Sequence, residues 1–286
     1  MRIATTLILL ALFLASDGYS GAALQSGFIT TSDDVRLHYL SSGSGPAIVL
    51  VPGWTMPAEV WAAQIDHFSR RFRVVALDPR SHGLSDKPAE GHYVERLALD
   101  IRDLVHQLKL APVVLVGWSI GVTQVLAYVD QFGTSTVRGI VLVDGAIGRE
   151  RDSNFSAQVW RRLKSFQMNR SQATEEAIRG WFRKPVTEAY IKKLTAASLK
   201  TPTSSAVALL ANLFWQGDYR AVLTKVDRPV LYAMAAPVLK EQGELLKQQV
   251  ASARVEVFEG AGHALFVDEA DRFNYVLDQF LASLPR

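Results

Sequence analysis

The sequence predicts an α/β fold in which a mostly parallel sheet is flanked by helices and carries an inserted helical cap. Two observations support this prediction. Short apolar runs of strand length alternate with longer segments whose apolar residues recur every three or four positions. Residues 147–226 break that alternation, because they show helical patterns and no good strand.

The predicted strands are short runs rich in Val, Ile and Leu, as expected where both faces of a sheet are covered. Helical periodicity lies between them, for example over residues 58–68 and 93–110 and after residue 120. Strands that alternate with helices form parallel sheets, and ligands bind beyond the carboxyl ends of such strands. The predicted strands are residues 35–40, 47–51, 74–77, 113–116, 140–143, 230–232 and 255–258.

The chain therefore divides into a core of residues 24–146 and 227–286 and a helical cap of residues 147–226. Large aromatic residues are frequent in the cap. We expect most of them to pack the cap onto the core, and one or two to face the cleft and shape a substrate pocket. They are Phe155, Trp160, Phe166, Trp181, Phe182, Phe214 and Trp215.

The first 23 residues have the features of a signal peptide. Arg2 is followed by the apolar stretch Thr5–Leu14 and then by small residues over Ser20–Ala23. That stretch is too short to span a bilayer as a permanent helix. We expect export to the periplasm or the medium without a stable membrane span after cleavage. A retained anchoring segment is the alternative.

Composition narrows the function classes. The 286 residues are 49% hydrophobic, which suffices for one large domain, and the net charge is +3. The basic residues concentrate between residues 149 and 200, where they interleave with apolar ones as on solvated amphipathic helices. No dense basic stripe indicates nucleic-acid binding. With no cysteine, disulfides, thiolate metal sites and a cysteine nucleophile are excluded.

The segment Gly117-Trp118-Ser119-Ile120-Gly121 is the candidate nucleophile site. It follows an apolar strand and precedes a helical pattern. At such a sharp turn a serine hydroxyl is lifted clear of the backbone, and the flanking glycines relieve crowding. A structural turn serine is the alternative.

A serine nucleophile needs a base, and His263 is the best candidate among six histidines. It lies in a glycine-rich loop directly after the strand at residues 255–258, at the edge of the sheet where Ser119 lies. His82 also follows a strand at that edge and is the rival. Packing or solvent exposure explains the others, with His92 expected at the surface or near the cap. These others are His38, His67, His92 and His106.

An acid must orient the imidazole, and Asp144 follows the strand next along the chain after Ser119. It could instead only cap the following turn. Glu241 and Glu244 are the other candidates, but they fall on a helical pattern and would point less directly at His263. For the oxyanion, we expect donors from the backbone N–H groups of Ile120 and Trp54, with Gly53 allowing close approach.

With Ser119, Asp144 and His263 in this order, the chain resembles the α/β-hydrolase superfamily from about residue 28 to residue 281. Small carboxylesterases and the cofactor-free haloperoxidase and perhydrolase group are similar. In this family a histidine in the loop after the fourth strand is usually structural, which demotes His82. The motifs that carry the resemblance are Gly53-Trp54, Gly117-Trp118-Ser119-Ile120-Gly121, Asp78-Pro79-Arg80-Ser81-His82-Gly83-Leu84-Ser85-Asp86 and Gly260-Ala261-Gly262-His263.

The chain departs from the family pattern twice. Pro52 stands where the family usually has histidine before the oxyanion-loop glycine, and the usual aspartate after the strand at residues 230–232 is missing. Some members, haloalkane dehalogenases among them, take their acid from the end of the preceding core strand, which Asp144 matches. Because the nucleophile is Ser119 and not aspartate, dehalogenase and epoxide hydrolase chemistry are disfavoured.

The resemblance implies hydrolysis of a small-molecule carboxylic ester through an acyl intermediate on Ser119, without a metal or organic cofactor. Lactone hydrolysis or perhydrolysis would use the same residues. A ligand-binding protein that kept the fold without catalysis is the alternative from another class.

Overall fold

The computed structural model describes residues 23–148, 153–216, 218–235 and 239–285. Their strands form one eight-stranded sheet in the order β1-β2-β4-β3-β5-β6-β7-β8. The first two strands pair antiparallel with their neighbours, and the remaining six run parallel. The strands are β1 (Gln25–Thr30), β2 (Arg36–Ser42), β3 (Ala47–Val51), β4 (Arg73–Leu77), β5 (Val113–Trp118), β6 (Val137–Val143), β7 (Val230–Met234) and β8 (Ala253–Val257).

Helices cover both faces of this sheet, so the predicted α/β fold class is confirmed. The connections also contain the 3₁₀ turns Ala58–Trp61 and Arg220–Lys225. The helices are α1 (Ala62–Phe68), α2 (Val94–Gln107), α3 (Ile120–Phe132), α4 (Ser153–Met168), α5 (Arg170–Arg179), α6 (Glu188–Leu199), α7 (Thr203–Gln216), α8 (Lys240–Gln249), α9 (Leu265–Asp268) and α10 (Ala270–Ser283).

Alternate residues of the central strands enter two separate cores. In β3, Ile48 and Leu50 join the core beneath α1 and α10, whereas Ala47, Val49 and Val51 join the core beneath α2 and α3. Because side chains alternate across a strand, a strand covered on both sides must be apolar throughout. This explains why β3, β5 and residues 140–143 of β6 are continuous apolar runs in the sequence.

The edge strand β1 was not among the strands predicted from the sequence. Most of its residues are at least partly exposed, and only Ile29 is buried. It pairs with β2 over six residue pairs, from Gln25↔Ser41 to Thr30↔Arg36. Backbone hydrogen bonding, and not an apolar pattern, therefore defines this strand.

Helices α4 to α7 lie between β6 and β7, within the segment assigned to the cap. The ends of this excursion are joined, because the Tyr219 N–H donates to the Ile147 carbonyl at 2.8 Å. Buried residues of these helices, including Phe166, Ile178 and Leu209, join the core beneath α1 and α10. The limits of the cap at residues 147 and 226 stay predictions.

Of the predicted signal peptide, residues 1–23, only the last residue lies within the described part of the chain. In the part that the structure describes, no helix combines the length and hydrophobicity needed to cross a bilayer.

Candidate active site

Ser119 occupies a strained turn between β5 and α3. Its φ of 57° and ψ of −118° lie in a region that L-residues rarely adopt. The turn is tight enough to require both flanking glycines. A Cβ on Gly117 would lie 2.3 Å from the Gly121 carbonyl oxygen, and one on Gly121 would lie 2.6 Å from the Val51 carbonyl oxygen. This geometry projects the Ser119 hydroxyl from the carboxyl edge of the sheet.

The structure brings Ser119, His263 and Asp144 together. The Nε2 atom of His263 lies 2.9 Å from Ser119 Oγ, and its Nδ1 atom lies 2.7 Å from Asp144 Oδ2. His263 belongs to the loop after β8, and its side chain is 29% exposed, whereas that of Asp144 is 2% exposed. The imidazole is thus open to a substrate on one side and held by a buried carboxylate on the other.

Asp144 is fixed by the pairing of β6 with β7. It follows β6 with a φ of 42°, and its N–H donates to the Ala233 carbonyl at 2.8 Å. Its Oδ1 atom accepts the Ala235 N–H at 2.7 Å, which leaves Oδ2 directed at His263. The rival acids Glu241 and Glu244 are exposed on α8.

The hydrogen bonds set the proton positions. A carboxylate can only accept a hydrogen bond, so Nδ1 of His263 carries a proton and donates it in a hydrogen bond to Asp144. Its Nε2 is then an acceptor for the Ser119 hydroxyl. This arrangement can remove the serine proton and return it to a leaving group, the capacity of a Ser-His-Asp triad.

The two predicted oxyanion donors belong to the start of α3 and to the loop after β3. Ile120 is the first residue of α3, where backbone N–H groups have no partner inside the helix. Among the described residues, neither the Ile120 N–H nor the Trp54 N–H donates to a protein acceptor. A Cβ on Gly53 would lie 3.2 Å from Ser119 Cβ, so the loop carrying Trp54 passes close to the nucleophile.

His82 supports the loop that carries Trp54 and Thr55, and neither of its described hydrogen bonds involves Ser119. Its Nε2 atom accepts the Thr55 N–H at 2.9 Å, and its Nδ1–H donates to the Arg80 carbonyl at 2.8 Å. Burial lowers the pKa of His82 to about 4, so the ring is neutral at pH 7 and can accept from Thr55. Thr55 itself has a φ of 57°, which turns the chain sharply after Trp54.

His92 is buried, so the surface alternative is wrong. The alternative position near the cap agrees with the structure, because the His92 carbonyl accepts the side-chain amide of Asn212 on α7 at 2.7 Å. His92 is 6% exposed and lies 2.8 Å from Ser81 Oγ through its Nε2 atom. Its burial follows from the packing of the residues before α2 against the loop after β4. The remaining histidines have structural or surface positions, with His38 bonded to Asp78, His67 bonded to Asp278 and His106 exposed on α2.

The cap is attached directly to the oxyanion loop. The indole Nε1–H of Trp54 donates to the Ala206 carbonyl of α7 at 2.8 Å, and its ring packs on Phe166 of α4 at 4.5 Å. The Arg170 guanidinium lies 4.8 Å from the same ring, and burial lowers its pKa to about 10. Three cap helices thus define the orientation of the Trp54 side chain.

A second aromatic group supports the histidine loop. Trp118, which precedes the nucleophile, donates its Nε1–H to the His263 carbonyl at 2.9 Å. Its ring makes edge contacts with Trp181 of the cap and with Phe266, at 5.4 and 5.0 Å between centroids. This role of Trp118 was not predicted from the sequence. The sequence signal for it is a large aromatic residue with a hydrogen-bond donor directly before the nucleophile, since a buried indole N–H usually finds an acceptor.

Phe166 and Trp181 are thus two cap aromatics that contact the tryptophans beside the site. Trp160 is exposed at 63% on α4. The side chains of Phe214 and Trp215 lie outside the described part of the chain.

A strained strand–serine–helix turn, with histidine and aspartate from later strand ends, is characteristic of hydrolases built on a mostly parallel α/β sheet. The chain belongs to the alpha/beta hydrolase family, whose model matches residues 48–274.

Comparison with individual proteins agrees with this membership. A non-heme haloperoxidase of Rhodococcus erythropolis is 28% identical over 277 residues, covering 90% of this chain and 99% of that protein. A bifunctional esterase/perhydrolase of Acinetobacter calcoaceticus is 27% identical over 281 residues, covering 90% and 100%. The structure of an esterase from Exiguobacterium antarcticum superposes with a TM-score of 0.84 at 25% identity, covering 91% and 100%. These relatives support hydrolase chemistry in this chain.

We predict that His82 makes folding stability depend on pH between about 6.5 and 4. The pKa of His82 is about 4 in the folded chain and about 6.5 in an unfolded one, so unfolding takes up a proton in this window. The free energy of unfolding should therefore fall by about 2 kcal/mol between pH 7 and pH 5 because of this residue. Burial also lowers the pKa of His92, which adds a loss in the same direction.

Urea unfolding at the two pH values should show a smaller difference for His82→Gln than for the native protein. His106→Gln, which changes an exposed histidine, should keep the native difference. An undiminished pH dependence in His82→Gln would contradict the assignment.

Proposed function

We propose that the protein hydrolyses a carboxylic ester through an acyl-enzyme intermediate on Ser119. The observation that carries this proposal is the continuous hydrogen-bonded chain from Ser119 Oγ through His263 to Asp144, at 2.9 and 2.7 Å. Among the described residues, the N–H groups of Trp54 and Ile120 donate to no protein acceptor, and we expect them to supply the donors that an acyl transition state needs.

In the acylation step, Ser119 Oγ attacks the ester carbonyl carbon while Nε2 of His263 takes the hydroxyl proton. The carbonyl oxygen becomes an oxyanion that accepts hydrogen bonds from the N–H groups of Trp54 and Ile120. The tetrahedral intermediate then expels the alcohol oxygen, which receives the proton from Nε2. The acyl group remains bound to Ser119 as an ester.

Deacylation repeats these steps with water. Nε2 of His263 takes a proton from the water as its oxygen attacks the acyl carbon, and the oxyanion is stabilised by the same two donors. Collapse of the second intermediate returns the proton to Ser119 Oγ and releases the carboxylic acid. Throughout, Asp144 holds the imidazole orientation and stabilises its protonated form. Each oxyanion donor contributes about 3 kcal/mol to lowering the barrier.

Lactone hydrolysis and perhydrolysis are chemically close alternatives. A lactone is an internal ester whose alcohol stays attached, and peroxide can replace water in the second step. The similarity to a bifunctional esterase/perhydrolase favours including peroxide in a substrate screen. A panel of p-nitrophenyl esters and lactones of graded size would define the acyl and alcohol preferences.

A fluorophosphonate probe should label the protein rapidly at Ser119, because the activated hydroxyl attacks its phosphorus as it would a carbonyl carbon. Ser119→Ala should abolish labelling while retaining the native circular dichroism spectrum. Absence of labelling in the folded native protein would favour a ligand-binding protein over an enzyme.

Asp144→Asn should lower kcat by about 10⁴-fold, because an asparagine no longer fixes the histidine tautomer. Glu241→Gln and Glu244→Gln are matched controls, since each also converts a carboxylate to an amide, at an exposed site on α8. Both should retain native kcat. Steady-state kinetics on one p-nitrophenyl ester measures all three, and an equal or reversed ranking would assign the acid elsewhere.

We also propose that the chain is exported and cleaved near residues 20–23, on the basis of its N-terminal sequence. Mass spectrometry of the extracytoplasmic fraction from a bacterial host should find a mature form that begins near these residues. A variant with Leu9→Arg and Leu10→Arg should stay unprocessed, because charge disrupts the apolar stretch. Exported native protein that retains residues 1–14 would contradict cleavage.

A further inference from the structure

The carboxylate of Asp268 joins the histidine loop to the cap. It lies at the end of α9, five residues after His263, and is 9% exposed. Its Oδ2 atom accepts the Gly262 N–H at 2.7 Å and the Arg183 N–H at 2.8 Å. Its Oδ1 atom accepts the Lys184 N–H at 3.4 Å. One carboxylate thus bonds the residue before His263 and two consecutive residues of the cap.

Backbone contacts extend this link to both sides of His263. The Ala264 N–H donates to the Trp181 carbonyl at 3.0 Å. A Cβ on Gly262 would lie 2.5 Å from the Trp181 carbonyl oxygen and 2.9 Å from the Arg183 nitrogen. The cap segment at residues 181–184 is therefore in direct contact with the chain that carries the imidazole.

The charges nearby do not explain the position of Asp268. Among the described residues, no cationic side chain lies within ion-pair distance of its carboxylate. The Arg183 guanidinium donates to the Glu259 carbonyl at 2.7 Å, and Lys184 Nζ lies 3.4 Å from Glu269. Asp268 acts on these two cap residues through their backbone N–H groups. Hydrogen bonds from N–H groups to a carboxylate are among the stronger ones in proteins, because the acceptor is charged.

We propose that Asp268 is a positioning residue for His263. Through the hydrogen bonds of Asp268, the position of the cap segment at residues 181–184 sets the distance between the imidazole and Ser119. This inference rests on the proposed function. A displacement of about 1 Å at such a base can lower the rate about 100-fold. The cap would then control the proton-transfer geometry as well as cover the cleft.

Two substitutions separate positioning from a purely electrostatic role. In Asp268→Asn, the amide oxygen can take the place of Oδ2 and still accept from Gly262 and Arg183, whereas the negative charge and the long hydrogen bond from the Lys184 N–H to Oδ1 are lost. In Asp268→Glu, the charge remains but the extra methylene displaces both oxygens. Positioning predicts that kcat for a p-nitrophenyl ester stays within about 3-fold of native in Asp268→Asn and falls about 10- to 100-fold in Asp268→Glu, with KM little changed in either.

Glu269→Gln is the matched control. Glu269 is adjacent to Asp268 in the chain, and its substitution also removes one negative charge. The Glu269 carboxylate contacts the side chains of Lys184 and Arg272. Glu269→Gln should retain native kcat. Thermal unfolding of each variant checks that the changes in kcat do not simply follow loss of the folded state.

A spectroscopic measurement tests the same claim without a substrate. The Nδ1 proton of His263, hydrogen-bonded to Asp144, should give a far-downfield ¹H NMR signal in the native protein. That signal should broaden or disappear in Asp268→Glu and persist in Asp268→Asn and Glu269→Gln. Since no ester is needed, this result stands even if the proposed ester hydrolysis fails. A native signal and native kcat in Asp268→Glu, or a loss of both in Asp268→Asn, would overturn the proposal.

Discussion

The left-handed backbone conformation of Ser119 is the constraint on which the rest of the site depends. It ends β5 and begins α3 within one residue, so the hydroxyl and the Ile120 N–H both face the carboxyl edge of the sheet. The strain is tolerated because the neighbouring elements hold the turn from several sides. The Ser119 N–H donates to the Val143 carbonyl of β6 at 2.9 Å, and Gly145 packs against the Ser119 carbonyl. The strands that position the acid thereby also hold the nucleophile.

Support for the site comes in two halves that meet at the cap. On one side, His82 and the cap helices hold the loop of Trp54 and Thr55. On the other side, Trp118 and Asp268 hold the loop of His263. Most of the contacts that support these two loops are hydrogen bonds between a side chain and a backbone group, and none of those described is an ion pair. Such contacts restrict direction more narrowly than a surface ion pair does, which suits a site whose function requires fixed distances.

The parts of the molecule that sequence could predict are those with local signals. The strands buried on both faces are continuous apolar runs, and the Ser119 turn has its glycines in the same five residues. Asp144 and His263 each directly follow a strand, so the topology of a parallel sheet brings them to the edge where Ser119 lies. Strand β1 lacked an apolar pattern, and its existence depends on pairing with β2. The burial of His92, the bond from Thr55 to His82 and the bonds from Arg183 and Lys184 to Asp268 depend on residues that are apart in the sequence, and only the packed chain determines them.

The joined ends of the cap excursion have a consequence for the design of variants. Because Ile147 and Tyr219 are hydrogen-bonded to each other, the intervening residues leave and re-enter the body of the molecule at one place. A foreign helical segment of different length could replace them without altering the register of β6 against β7. Such a replacement would have to offer backbone N–H groups to Asp268, a carbonyl to the Trp54 indole, and apolar side chains to the core beneath α1 and α10 that Phe166, Ile178 and Leu209 now fill.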